Sequence, residues 1–232
     1  MSYCETCIVR NRAICSVLDA DEIKVLGTIG RRRKLKAGEP LIWEGDESLL
    51  VANVVEGVLK LSIGTEDGRE QTVGVVYPSE FLGRPFGKKS SHSVIALTDA
   101  HVCVFARSDF DNFAGEHPRL EHKLLQRTLA ELDRTRNWML LLGRKNAEER
   151  LATFLLEMSE RLVDPGCESD SEARLKELEL PFSRQQVADV LGLTIETVSR
   201  QFTRLKKDGI VDLPSRRAVT ILDRAALEMR AG

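Results

Sequence analysis

Residues 182–213 read FSRQQVADVLGLTIETVSRQFTRLKKDGIVDL. Ser183 followed three residues later by Gln186 is the pattern of a capping box, in which each side chain satisfies the other's backbone N–H. A short helix follows, with Val187, Ala188 and Leu191 on its inner face. Gly192 supplies the positive φ a tight turn wants. Thr194 caps a second helix that runs to about Asp208, where Gly209 stops it, and Val198, Phe202 and Leu205 point it inward. Ala188 is small enough for two helices to pack closely, so the stretch reads as a helix-turn-helix. The second helix presents Glu196, Thr197, Ser199, Arg200, Thr203, Arg204 and Lys207 outward. Arginine can chelate guanine O6 and N7, and glutamate can accept from cytosine N4. Lys206, Lys207, Arg216 and Arg217 suit phosphates, and IVDLPSRRAVTIL after them reads as a hairpin, hence a wing. An ordinary helical hairpin with a solvated charged face is the bland reading. Two caps, a small residue, a glycine turn and a basic outer face agree instead on a helix that reads the major groove of double-stranded DNA.

Upstream, PRLEHKLLQRTLAELDRTRNWMLLLG begins at Pro118, a residue suited to the first helical position. Leu125, Leu132 and Met139 recur every seven residues, with Thr128, Thr135 and Leu142 between them. Such a seam usually pairs with another copy of the same helix, giving a parallel dimer. The helix would be about 39 Å long, ending at Gly143, after which Asn146 and Glu149 form another capping box. Leu151, Phe154, Leu155, Met158 and Leu162 form the next helix's apolar face. DPGCESDSEA (164–173) reads as an acidic loop.

From Arg31 to Arg107 the pattern changes to short apolar-alternating runs broken by turn signals, with Asp67-Gly68 as a hairpin. Several short strands at this spacing predict an antiparallel sandwich or barrel. Residues 18–29 predict a short helix capped by Asp19 or Asp21, and Trp43 and Trp138 read as packing residues. The expected architecture is α+β. It comprises an N-terminal loop (1–17), a β-roll domain (18–117), a dimerisation helix (118–143) and a winged helix-turn-helix domain (144–232).

The chain has 232 residues, a net charge of -2 and 42% hydrophobic residues. No apolar run approaches the roughly 20 residues of a membrane span, and no signal pattern opens the chain. The expected compartment is therefore the cytoplasm, where thiols stay reduced. No nucleophile elbow, phosphate-binding glycine loop or metalloprotease motif supports an enzyme. Five cysteines stand at 4, 7, 15, 103 and 167, three of them in CETCIVRNRAIC (4–15). Zinc normally wants a second Cys pair, and a redox Cys-x-x-Cys wants a βαβ context. Chance is a weak account of three cysteines in twelve residues. An iron–sulfur cluster needs three or four thiolates. Its fourth would come from Cys103, in the strand-like HVCVFA, in preference to Cys167 in the acidic loop.

A β-roll, a long dimer helix and a C-terminal winged helix-turn-helix, in this order, resemble the CRP/FNR superfamily of bacterial transcription regulators over nearly the whole chain. The likeness sharpens at MLLLGRKNAEERLATFLLEMSERL (139–162) and GLTIETVSRQF (192–202), which are similar to the FNR branch, including its Glu-x-x-Ser-Arg signature at Glu196, Ser199 and Arg200. The resemblance implies that Glu196 and Arg200 contact bases, that Ser199 supports them, and that the half-sites are of the type TTGAT in an inverted repeat. Cys4, Cys7 and Cys15 have the spacing of the oxygen-sensing FnrL/FnrN type of alphaproteobacteria, which implies a [4Fe–4S] cluster with Cys103 as fourth ligand and Cys167 incidental. It also implies activation through RNA polymerase, the hairpin at 65–74 being one region of contact. The superfamily's cyclic-nucleotide signature is a Gly-Glu pair followed by Arg-Ser or Arg-Thr. Here Glu80 is present, but Arg84 precedes Pro85 and Ser91 follows Ser90, so no cyclic nucleotide is expected. The alternative is a regulator of the same fold without a cluster, controlled by thiol oxidation, a small ligand or haem.

Overall fold

The structure, a computed structural model, describes residues 4–47, 49–68, 70–162 and 178–232. The acidic stretch 164–173 and Cys167 lie outside the described residues. The chain divides into two compact units, Met1–Arg134 and Thr135–Gly232.

The first unit holds eight strands among its described residues: β1 (Gly30–Leu35), β2 (Pro40–Ile42), β3 (Leu50–Glu56), β4 (Leu59–Gly64), β5 (Glu70–Val76), β6 (Phe81–Gly83), β7 (Ser93–Ala96) and β8 (Ala100–Ala106). They form two antiparallel sheets of order β1-β8-β3-β6 and β2-β7-β4-β5. The β4–β5 hairpin turns at Asp67-Gly68, as expected, with Gly68 at φ 83. Strand alternation sends Ala52, Val54 and Val102 into a core shared with Leu59, Val76 and Val94 of the other sheet. The opposite face of β3 and β8 carries Val51, Cys103 and Phe105. It is covered by a 3-10 turn (Ile14–Val17), α1 (Ala20–Ile29), α2 (Arg107–Gly115) and the start of α3 (Pro118–Arg144). Asp19 is the cap of α1, in a full capping box with Glu22. The N-terminal segment therefore lies on the face that bears Cys103.

The second unit contains the end of α3, α4 (Ala147–Arg161), β9 (Leu178–Glu179), α5 (Arg184–Leu191), α6 (Ile195–Lys207), β10 (Val211–Asp212), β11 (Ala218–Ile221) and α7 (Arg224–Ala231). The Asn146–Glu149 and Ser183–Gln186 capping boxes both form. Gly192 sits at φ 61 and ψ 41, the left-handed conformation that the turn demands.

Four local expectations change. Gly143 does not end α3, which continues to Arg144. Beyond it the Arg150 guanidinium donates to the carbonyls of Leu142 (2.8 Å) and Lys145 (2.9 Å) at the end of α3 and to that of Leu191 (3.0 Å) in α5. The last-turn carbonyl of Leu142 is thereby satisfied by a side chain. Trp43 is not a packing residue: 54% of it is exposed. The wing is a three-stranded sheet of order β10-β11-β9, because Leu178–Glu179 adds to the expected hairpin. Finally, α7 packs on α4 where no helix was expected.

Candidate nucleic-acid interface and cysteine site

Polar and charged residues gather on the outer face of α6. Val198, Phe202 and Leu205 are buried, and Glu196, Ser199, Arg200, Thr203 and Lys207 face solvent. Thr194 caps the helix at the Thr197 N–H (3.3 Å). Thr197 in turn shares a hydroxyl contact with Thr194 (3.1 Å) and accepts a long hydrogen bond from Arg200 Nη2 (3.4 Å), which steers the guanidinium along the helix. Glu196 lies in the first turn, where its own backbone N–H and the Thr194 hydroxyl hold its carboxyl below the usual range, so it is an acceptor at neutral pH. Arg204 is turned differently: it pairs with Glu148 of α4 at 2.9 Å, while keeping 57% of its side chain exposed. Lys206 pairs with Asp212 at 2.9 Å. Arg216 and Arg217 stand exposed in the wing turn, where Ser215 Oγ accepts the N–H groups of Arg217 (3.2 Å) and Ala218 (2.9 Å). Such a helix can put Arg and Glu to base edges while the wing and the helix end meet phosphates.

Along α3, Leu125, Leu132 and Met139 are 56%, 43% and 69% exposed, and Leu129 and Leu140 widen that stripe. This is a large apolar surface for one helix to leave uncovered.

The four described cysteines, all free, come together from two segments. Cys103, in β8, lies opposite Arg32 of β1 and Asn53 of β3. Cys4, Cys15 and Cys103 pack against the cluster of Val51 and Phe105, while Cys7, Cys15 and Cys103 pack against Val9, Ala13 and Val55. A hydrogen bond from the Cys103 thiol is the largest cause lowering Cys4, to about 7; burial opposes it, and Arg32 and Arg10 assist. The same hydrogen bond, with burial and the charge of the other three sulfurs, pushes Cys103 far up. Burial, then Cys7 and Cys4, raises Cys15 to about 11, and its thiol reaches the Arg10 carbonyl at 4.0 Å. Among the described residues no three His, Cys, Asp or Glu side chains close up as a single metal ion would need. The gathered donors are all sulfur, with two arginines beside them. That chemistry fits an iron–sulfur cluster, which takes thiolate ligands.

Comparison with known proteins agrees with the order of these parts. Residues 32–117 match the cyclic nucleotide-binding domain and residues 149–230 the Crp-like helix-turn-helix domain. The transcriptional activator protein FnrL of Cereibacter sphaeroides is 41% identical over 99% of this chain and 92% of its own. The chain belongs to the CRP/FNR family of transcription regulators. The nitrogen fixation regulation protein FixK of Bradyrhizobium diazoefficiens is 39% identical over 99% of this chain and 94% of its own. The solved structure of FixK2 from Bradyrhizobium japonicum superimposes with a TM-score of 0.79 at 32% identity, covering 88% of this chain and 98% of that one. The expected α+β fold and the family resemblance are thus borne out. No helix of the described residues is long and apolar enough to cross a membrane.

In this regulator Glu80, the acidic member of the nucleotide signature, is engaged from within the fold. It accepts the Tyr77 N–H at 3.0 Å and is ion-paired with Arg134. Sequence reasoning missed Arg134, Arg150 and Arg184. Arg184 opens α5 with its guanidinium 3.2 Å from the centre of the Phe202 ring, and its buried Nη1 and the Gln201 Oε1 have no partner among the described residues. Burial lowers Arg184 to about 10, leaving it cationic at neutral pH. The signal for Arg150 is a cation on the apolar side of a helix; Arg134 and Arg184 carry no comparable signal.

Proposed function

We propose that this regulator is an oxygen-responsive transcriptional activator of anaerobic and microaerobic genes. Its homodimer binds inverted repeats of TTGAT-type half-sites in the cytoplasm and contacts RNA polymerase. Cys4, Cys7, Cys15 and Cys103 would hold a [4Fe–4S] cluster, residues 1–17 being the cluster loop and 118–143 the dimerisation helix. The observation that carries the reading is the convergence of those four thiols, from a loop and a strand far apart in sequence, on a chain whose α6 is built to read DNA. A bound cluster supplies sensitivity to dioxygen. The residues supply the response. Arg127 of α3 donates to the backbone carbonyl of Arg12, between Cys7 and Cys15, so the cysteine loop is tied to the helix that exposes Leu125 and Leu132. Were the cysteine loop to come free, the Arg127–Arg12 tie would loosen and pairing along Leu125, Leu132 and Met139 would weaken. Two α6 helices would then no longer meet half-sites about 34 Å apart, and specific affinity would fall. The engagement of Glu80 by Arg134 supports a site without cyclic nucleotide.

Anaerobic purification followed by absorbance, iron and sulfide assays, with operator binding before and after air, tests this. A colourless, iron-free protein that binds equally well in air, or one carrying zinc, sinks it. A thiol switch is the second reading. It is favoured by the Cys4 thiolate, at about 7, lying in hydrogen-bond contact with Cys103. It requires loss of response at those two cysteines alone.

A further inference from the structure

We infer that Asn53 is a positioning residue for the cysteine site, its carboxamide donating an N–H to the sulfur of Cys103 or its immediate neighbour in a cluster held there. The inference rests on the cluster reading above. Asn53 and Cys103 are directly opposed in the β3–β8 ladder, and opposed residues of an antiparallel pair project to the same face, within contact of each other. On its own strand Asn53 is flanked on that face by Val51 and Val55, members of the two apolar clusters against which the cysteines pack. It is 4% exposed and its Oδ1 has no hydrogen-bond partner among the described residues.

A buried, unpartnered amide oxygen destabilises a fold in a way that an apolar side chain of similar size would not. The nearby Cys15 thiol does not relieve it, being directed at the Arg10 carbonyl (4.0 Å). A half-turn about the Cβ–Cγ bond exchanges the carboxamide's oxygen and nitrogen, presenting two N–H donors on the face of Cys103. Thiolates and sulfides accept hydrogen bonds and do not donate them, so a donor complements that charge where an oxygen would repel it. Hydrogen bonds to the sulfurs are among the factors that set a cluster's reduction potential. They favour the electron-rich state, so this one should slow oxidation by dioxygen.

The test uses the full chain, loaded anaerobically with iron and sulfide, as wild type, Asn53→Leu and Asn53→Asp. Two quantities are read: the melting temperature of the metal-free protein, and the decay of visible absorbance after a measured addition of air-saturated buffer. Asn53→Leu should melt no lower than wild type, yet its absorbance should decay about fivefold faster, the worth of one ordinary hydrogen bond. Asn53→Asp, similar in size but without donors, should decay at least as fast, and it decides the matter if the leucine variant fails to fold. Decay within about twofold of wild type in a folded variant overturns the inference and leaves the cluster reading standing, as does a fall in melting temperature that accounts for the faster decay. A wild-type chain that takes up no iron or sulfide overturns both.

Discussion

Individual side chains on α6 carry sharply different expectations. Arg200 is exposed and oriented by Thr197, and Glu196 is exposed and ionised. Replacing either by alanine should lose about 1–3 kcal/mol of discrimination at one base pair, with little loss on random DNA. Lys207→Ala should instead weaken all sequences alike and reduce the salt slope by about 1. Competition binding against single-base operator variants, repeated at several salt concentrations, separates the two behaviours. The pH dependence has a definite sign. The carboxyl of Glu196 sits below the usual glutamate range, so its charge survives as pH falls. Its contribution to specificity should persist until pH drops beneath that range, and Glu196→Gln should lack that acid limb. Loss of the wild-type contribution already near neutral pH would contradict this. Much of α6 was legible from residue types, because capping, periodicity and the chemistry of base edges are local. The turning of Arg204 onto Glu148 was not, since that partner lies 56 positions away, on α4.

At the scale of elements, α3 has the most to transmit. Leu132→Ala should weaken the dimer by about 2–4 kcal/mol over two copies, read by analytical ultracentrifugation without air. Arg127→Ala makes a distinct prediction. The visible absorbance should remain, while the dissociation constant of the loaded dimer moves towards that of the metal-free protein, whose own value stays put. Linkage requires dimerisation to protect the cluster by the same factor, so that protection should shrink in parallel. An equal change in loaded and metal-free protein would mean that Arg127 merely supports the helix. The turn before α6 is the other sensitive element. Gly192→Ala should destabilise the second unit by about 1–2 kcal/mol, because a Cβ is disfavoured at positive φ. Space is not the obstacle there: the nearest atom to such a Cβ is Leu142 Cδ2 at 3.6 Å. Equal melting temperatures would refute the strain.

For the molecule as a whole, the demanding prediction concerns the four cysteines together. Serine at Cys4, Cys7, Cys15 or Cys103 should abolish cluster uptake and anaerobic operator binding to nearly the same extent, since each is one leg of a single site. Cys167→Ser should leave both unchanged. Loss confined to Cys4 and Cys103 would favour the thiol switch instead. Parallel titration of iron, sulfide and operator affinity for the five variants reads all of this in one set of preparations.

Local patterns in the chain were enough for most of the elements, though not for β9 or α7, and for the caps at Asn146, Ser183 and Thr194, the turn at Gly192 and the outward face of α6, because backbone capping and side-chain periodicity act within a few residues; the choice of Asp19 over Asp21 as the cap of α1 came from the structure. The heptad leucines of α3 were also readable, and they emerge exposed. Contacts between distant segments were decided only in three dimensions. The meeting of Cys103 with the N-terminal cysteines, the seating of Asn53 opposite it, the tie from Arg127 to Arg12 and the engagement of Glu80 by Arg134 depend on strand register and on which face the N-terminal segment covers. Register is set by matching whole hydrophobic faces, and no short stretch of sequence encodes it.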